Sequence, residues 1–345
     1  MGIAVEELGR ENDAELTAFL DAVGASSTSI LGYHYPFYRD MLVAIDIGEP
    51  LCLGARCEGR LVGYLPAFVR KTGAGTVVSS LPYFGPNAGV LCVDEKRQEV
   101  HEVLLAEIAD RARQENALGC SVYTPFRFED FDLYDRALEA WTVLEKFTQY
   151  RLLGNDSHDS AVGWSLRKAQ RLGVEVSRDV TPERVAAFYA IYERNCEEFG
   201  IPPKSRACVE FLTQSELLGK HTRLYTALRE GKVLGGLLMI WSPLVASYYI
   251  PCSLTEARNL QPTTMLIDAG MREAQERGLK YWNWESSPGR DSGVYRFKKN
   301  WGGAVESNYR IYVESFAGKD KLAALGREGL TREFPHFFVW PFDRL

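Results

Sequence analysis

The sequence predicts an α/β (α+β) protein made of two consecutive copies of one unit, each a mixed or antiparallel sheet flanked by helices. Three observations predict it: a length of 345 residues, two alike hairpin sequences half a chain apart, and the same succession of elements around each hairpin. A single core stops growing well short of this length, so two domains of about 100–200 residues each are expected. A hydrophobic content of 46% with 12% aromatic residues supplies enough apolar surface to offset chain entropy.

In chain order, the first copy opens with a helix over NDAELTAFLDAVG, followed by the hairpin LCLGARCEGRLVGYLPAFV. A strand TVVSSLPYF, a helix around EVHEVLLAEIADRARQENALG and a strand CSVYTPF complete it. The second copy repeats this order: the helix TPERVAAFYAIYERNCEEFG, the hairpin RLYTALREGKVLGGLLMIW, the strand VASYYIPC, the helix TMLIDAGMREAQERG and the strand LKYWNW. Within the hairpins, Ala55, Glu58, Gly59, Gly63 and Leu65 correspond to Ala227, Glu230, Gly231, Gly235 and Leu237, with Glu58 and Glu230 standing 172 residues apart. Each Glu-Gly pair suits a two-residue hairpin loop, because glycine supplies the positive φ such a loop needs. Gly119 and Gly278 are read as helix caps for the same reason. The polar stretch GNDSHDS lacks periodicity and is rich in turn formers, which places the boundary there: units 1–155 and 156–345.

Composition narrows function. No apolar run approaches the ~20 residues of a membrane helix, and the acidic start MGIAVEELGRENDAEL is unlike a signal peptide, so a cytoplasmic protein is expected. A net charge of −6 argues against a protein that coats nucleic acid, DNA included, and leaves room only for a small local basic patch. Seven scattered cysteines without a CxxC pair read as reduced, mostly buried thiols. The five histidines form neither HExxH nor a cysteine-paired set, and no GxSxG elbow occurs, so neither a metal nor a hydrolase is expected.

The duplicated order of elements, the C-terminal stretch YWNWESSPGRDSGVYRFKKNWGG and the basic SLRKAQRLGVEV together resemble the FemABX family of aminoacyl-tRNA-dependent transferases and its relatives in the GNAT-like superfamily. The likeness covers roughly residues 5–315. It implies tandem GNAT-like units of the compact kind, without a coiled-coil arm, and an enzyme that acylates an amine.

The resemblance also implies site residues. Lys298 stands where such enzymes carry a lysine near the point of acyl transfer, where a cation steadies a developing oxyanion or holds a donor phosphate. Read without the resemblance, the RFKKN run is a solvated strand end. Phe297 and Trp301 either line the site and stack on the donor or pack in the core. Glu285, Arg290 and Asp291 bring mixed charge beside Trp282 and Trp284 at a strand's end, where binding residues usually lie.

Arg39 matches a family lysine that contacts acceptor phosphates, and otherwise is a surface arginine. Lys204 and Arg206 lie in the segment that carries an acceptor-binding arginine. Tyr248 and Tyr249 occupy a strand that supplies a substrate-contacting tyrosine; neighbouring strand residues face opposite sides, so only one points to the site. Arg167, Lys168 and Arg171 share a helix and are candidates for contact with tRNA, although cations at a helix C-terminus also complement its dipole. A general base is not evident, because Pro125 and Phe126 stand where some relatives carry an acid.

The donor is the open choice. The loop RNLQPTT corresponds to the GNAT loop whose glycine-flanked amides hold the CoA pyrophosphate, but Gln261 and Thr263 replace both glycines and Pro262 lacks an amide N–H. Charged tRNA, its acceptor end carrying the aminoacyl group, is therefore the leading co-substrate, with no bound cofactor. The acceptor is an amine on a nucleotide-linked peptidoglycan precursor or a small metabolite. Acyl-CoA-dependent N-acylation is the alternative, and a catalytically silent small-molecule-binding module a third. The aromatic tail FPHFFVWPFDRL is expected to pack back onto the protein.

Overall fold

Both Glu-Gly hairpins close with two-residue loops in which each central residue has positive φ: 51° and 77° at Glu58 and Gly59, 51° and 75° at Glu230 and Gly231. Positive φ at both positions is the type I′ turn, whose twist matches the strands it joins. The closing pairs are Cys57 with Arg60 and Arg229 with Lys232. The matched Gly63 and Gly235 answer to close approach: a Cβ on the first would meet Val100 at 2.2 Å and on the second the Cys252 carbonyl oxygen at 2.5 Å.

The computed structural model describes residues 2–83, 85, 87–139, 141–154, 158–302 and 305–340. In chain order it begins with β1 (Ala4–Glu7), α1 (Asp13–Gly24), α2 (Pro36–Ala44), β2 (Glu49–Cys57), β3 (Arg60–Thr72), β4 (Gly75–Ser79) and β5 (Leu91–Cys92). α3 (Arg97–Gln114), β6 (Gly119–Tyr123), α4 (Asp132–Ala137) and β7 (Thr142–Leu152) follow. Next come α5 (Ser160–Arg171), β8 (Glu175–Ser177), α6 (Pro182–Phe199), α7 (Arg206–Leu212), β9 (Thr222–Arg229), β10 (Lys232–Trp241) and β11 (Val245–Ser253). α8 (Pro262–Glu276), β12 (Tyr281–Ser286), α9 (Gly293–Lys299), β13 (Val305–Glu314) and α10 (Lys319–Glu333, broken at Gly326) complete it.

Two compact units result, Met1–Phe147 with Ser307–Leu345, and Thr148–Glu306. In the first, the strand order is β1-β2-β3-β4-β6-β13, with β5 beside β3; in the second it is β7-β12-β11-β10-β9-β8. Both contain a parallel crossover, β4-α3-β6 and β11-α8-β12, set among antiparallel neighbours. The mixed, helix-flanked tandem architecture is thus the one expected.

The ranges 1–155 and 156–345 differ from these units because terminal strands are exchanged. β13, encoded after β12, pairs antiparallel with β6 of the first unit, while the end of β7, encoded after β6, pairs antiparallel with β12 of the second. Phe334, Phe337, Val339 and Trp340 are buried in the first unit, whereas Phe342 lies outside the described residues, as do residues 155–157 of the polar stretch.

Two helix ends show where glycine was needed. After α8, Gly278 takes φ 78° while its N–H donates to the Gln275 carbonyl, and the Leu279 N–H donates to Ala274. After α3 the same role falls to Asn116 at φ 50°, with Ala117 N–H donating to Ala112. Gly119 is instead the first residue of β6, where a Cβ would lie 3.2 Å from the Glu314 carbonyl oxygen and the Leu322 side chain.

Candidate functional site

Parallel strands β11 and β12 pair only from Val245–Ser247 to Tyr281–Asn283, although both run further. Beyond that rung they part. On its other side, β12 shifts register against β7 between Asn283 and Ser286. The end of β12 therefore leaves both neighbours at once, and the freed backbone groups need other partners.

Asn283 organises the opening. It is fully buried, and all four of its hydrogen-bonding positions are used. Its Oδ1 accepts from the Glu285 N–H at 3.0 Å and from Thr148 Oγ1 at 3.1 Å. Its Nδ2 donates to Glu285 Oε1 at 2.9 Å and to Ser247 Oγ at 3.3 Å. The side-chain bond to the backbone two residues on turns the chain sharply, and Glu285 takes φ 61°.

The carbonyls of Glu285 and Ser286, released from the ladder, accept from Lys298 Nζ at 3.2 and 2.8 Å. Lys298 is 4% exposed and projects from α9, whose first turn is capped by Ser292 Oγ accepting from Tyr295 N–H. The segment is a helix with Lys298 turned inward, rather than a strand end, while Arg296, Phe297 and Lys299 around it are exposed. Burial lowers the Lys298 ammonium to about 8, with the Glu285 charge opposing the shift. Burial likewise raises the half-buried Glu285 carboxyl to about 8, against the pull of Lys298.

The other expected residues fall into separate settings. Tyr248 packs on Trp282 and Trp284, and Trp301 on Trp284, so Tyr248 and Trp301 belong to the second unit's core. Tyr249 is the extra residue of a β-bulge and meets Lys204, whose Nζ lies 4.8 Å from its ring centroid. Lys204 is 9% exposed, and burial lowers its ammonium to about 8. Arg206 is exposed and pairs with Glu210 one turn along α7. Arg290 is held by Glu306, which also accepts from the Tyr295 hydroxyl. Asp291 and Phe297 are exposed. Arg39, in the first unit, is 5% exposed and makes a bidentate pair with Asp13 at 2.7 and 2.8 Å plus a bond to Asp40. Its charge is already neutralised, so it locks α1 to α2.

α5 carries a different pattern. Arg167, Lys168 and Arg171 follow Trp164 by three, four and seven residues, so all four share one helix face. Trp164 is 51% exposed, with Lys168 Nζ 5.0 Å from its ring centroid. None of the three cations makes an ion pair with a described residue. Sequence reading missed Trp164, as it missed Asn283, Ser247 and Thr148; the legible signal was an asparagine between two tryptophans of a buried strand.

The equivalent opening in the first unit is sealed. Its last rung pairs Ser79 and Ser121, whose hydroxyls lie 2.8 Å apart. Past it, Ser80 N–H donates to the Ser121 carbonyl and Ser80 Oγ accepts from Tyr123 N–H. Among the described residues no group of three or more His, Cys, Asp or Glu side chains is placed to hold a metal ion. No helix of the described residues is long and apolar enough to cross a membrane.

Residues 162–299 match the family model of the acetyltransferase (GNAT) domain, the span that contains the open site. The fold is similar to the crystal structure of FemX, with a TM-score of 0.70 at 14% identity over 93% of this chain and 99% of that one. It is similar to the C-terminal domain of a putative lysylphosphatidylglycerol synthetase from Agrobacterium fabrum, with a TM-score of 0.58 at 12% identity over 93% and 96%. A tandem GNAT protein from the clavulanic acid biosynthesis pathway gives 0.54 at 13% identity over 90% and 98%. No curated protein sequence matches the chain. The chain is an acyltransferase with a FemX-like tandem GNAT fold, its GNAT domain lying at residues 162–299.

Proposed function

We propose that this acyltransferase moves an aminoacyl group from a charged tRNA to the amine of a cell-wall precursor or small metabolite. The observation that carries the choice of donor is the face of α5. The net charge is −6, yet three cations cluster there without acidic partners among the described residues, beside an exposed indole. A basic surface with an aromatic platform is the chemistry that holds an unpaired nucleic-acid end, phosphates on the cations and a base on the ring.

The loop before α8 supports the same donor. Gln261 occupies the left-handed region at φ 62° with its Nε2 donating to the Arg258 carbonyl, and Pro262 contributes no N–H at the first helical position. A CoA pyrophosphate needs close backbone approach and amides at that helix start, and these residues do not fit it. Acyl-CoA remains a second reading because the matched family model is that of an acetyltransferase. Lys298 serves either donor, since an ammonium with two protons committed to carbonyls has a third to offer a developing oxyanion.

Thermal melting with charged tRNA, with acetyl-CoA and with neither tests the reading, alongside transfer to an amine. Charged tRNA is expected to raise Tm and support transfer; a rise with acetyl-CoA alone overturns the choice of donor. Replacing Arg167, Lys168 and Arg171 with serine should flatten the salt slope of tRNA binding by about 2, at ~0.7 per lost contact. Lys298→Met should abolish turnover, and undiminished activity removes Lys298 from the site.

A further inference from the structure

We infer that Glu285 is the proton acceptor of the reaction, a catalytic residue that takes the proton the attacking amine must lose; this rests on the acyltransferase reading above. The residue is held in a way that packing alone does not require. Its left-handed backbone, at φ 61°, is strained for a residue that carries a side chain, and such strain persists where its surroundings impose it. Here Asn283 imposes it, gripping both the Glu285 N–H and the carboxylate while Ser247 and Thr148 fix the asparagine. The outcome is a half-buried carboxylate of set direction at the point where β12 leaves its neighbours.

Other carboxylates nearby are placed differently. Glu306 is bound by Arg290 and the Tyr295 hydroxyl, and Asp291 lies exposed on the loop after β12. Lys298, reaching in from α9, is a charged group that acts on Glu285, while Asn283 beside it is neutral. Burial places the Glu285 carboxyl at about 8, close to the working range a general base needs.

The step balances without any further reagent. The amine nitrogen attacks the ester carbonyl carbon, forming the C–N bond, and the bond from that carbon to the carrier oxygen breaks. The nitrogen's surplus proton passes to Glu285, and the departing oxygen takes a proton from the Lys298 ammonium. Exchange with water returns both groups to their starting states.

The test compares Glu285→Gln with the parent chain, using two acceptors and whichever donor the parent accepts. One acceptor is an ordinary alkylamine; the other is hydroxylamine, which is largely unprotonated at neutral pH and whose nitrogen, once bonded to the carbonyl carbon, is acidic enough to give its surplus proton to water. The variant should lose about 100-fold in transfer to the alkylamine, together with the rise in rate through pH ~8, while hydroxylamine transfer falls less than about threefold. Equal loss with both acceptors, or loss with neither, overturns the assignment. If the parent chain transfers nothing from charged tRNA or acetyl-CoA, the acyltransferase reading itself fails, a result distinct from an active parent with an unimpaired variant. Carbon-13 labelling of glutamate in the full chain adds a readout independent of turnover. A Glu285 carboxyl titrating in the ordinary carboxylate range would overturn the assignment by itself.

Discussion

His34 and His101 are both 1% exposed, and burial holds the imidazoles near 3 and 4. His34 needs a neutral ring because its Nδ1 accepts from Leu31 N–H, whereas His101 donates Nδ1–H to the Arg97 carbonyl 2.7 Å away and is held neutral by burial against that bond. In the unfolded chain each binds a proton below about 6.5, so between that pH and the folded values the unfolded state holds more protons. Stability is thus full above pH 6.5 and is lost as pH falls toward 4. From pH 6.5 to 5 the loss is about 2 kcal/mol per histidine. Urea unfolding across that range checks this, and a flat profile contradicts it. Of the candidate site, sequence reading named Lys298 through resemblance and Glu285 through its charge beside two tryptophans at a strand's end. It missed Asn283 because a buried amide acts through partners on other strands, which no local pattern records.

At the scale of elements, periodicity and turn chemistry located both hairpins and both crossover helices, because each is specified by residues adjacent in sequence. RFKKN was harder: it is too short for a period, and the cap that makes it helical is Ser292 at its start. The two matched caps offer a measurement. Asn116 after α3 and Gly278 after α8 both sit in the left-handed region, where glycine alone escapes a Cβ penalty. Asn116→Gly should stabilise the protein by up to ~1 kcal/mol, and Gly278→Ala should destabilise it by ~1 kcal/mol or more. Chemical denaturation of the full chain decides. Shifts of the same sign would mean that one of these backbones is not left-handed in solution.

Across the whole molecule, duplication was legible and the exchange of strands was not. A strand's own residues state that it is a strand and which face is apolar. They do not say which of two alike edges it joins, and duplicated units present alike edges on β6 and β12. Deleting residues 307–345 separates the two assignments. The deletion strips β6 of its antiparallel partner and removes Tyr312, which stacks on Tyr134 at 5.4 Å and donates to Asp135. It also removes Phe334, Phe337 and Trp340 from the first unit, whereas the second keeps every strand of its sheet. Hydrogen exchange should therefore show amides of Cys120–Tyr123 losing protection while those of Leu237–Ile250 keep theirs. Protection lost instead from β12 and its neighbours, with β6 intact, would place the C-terminal segment in the second unit, as its position in the sequence suggests.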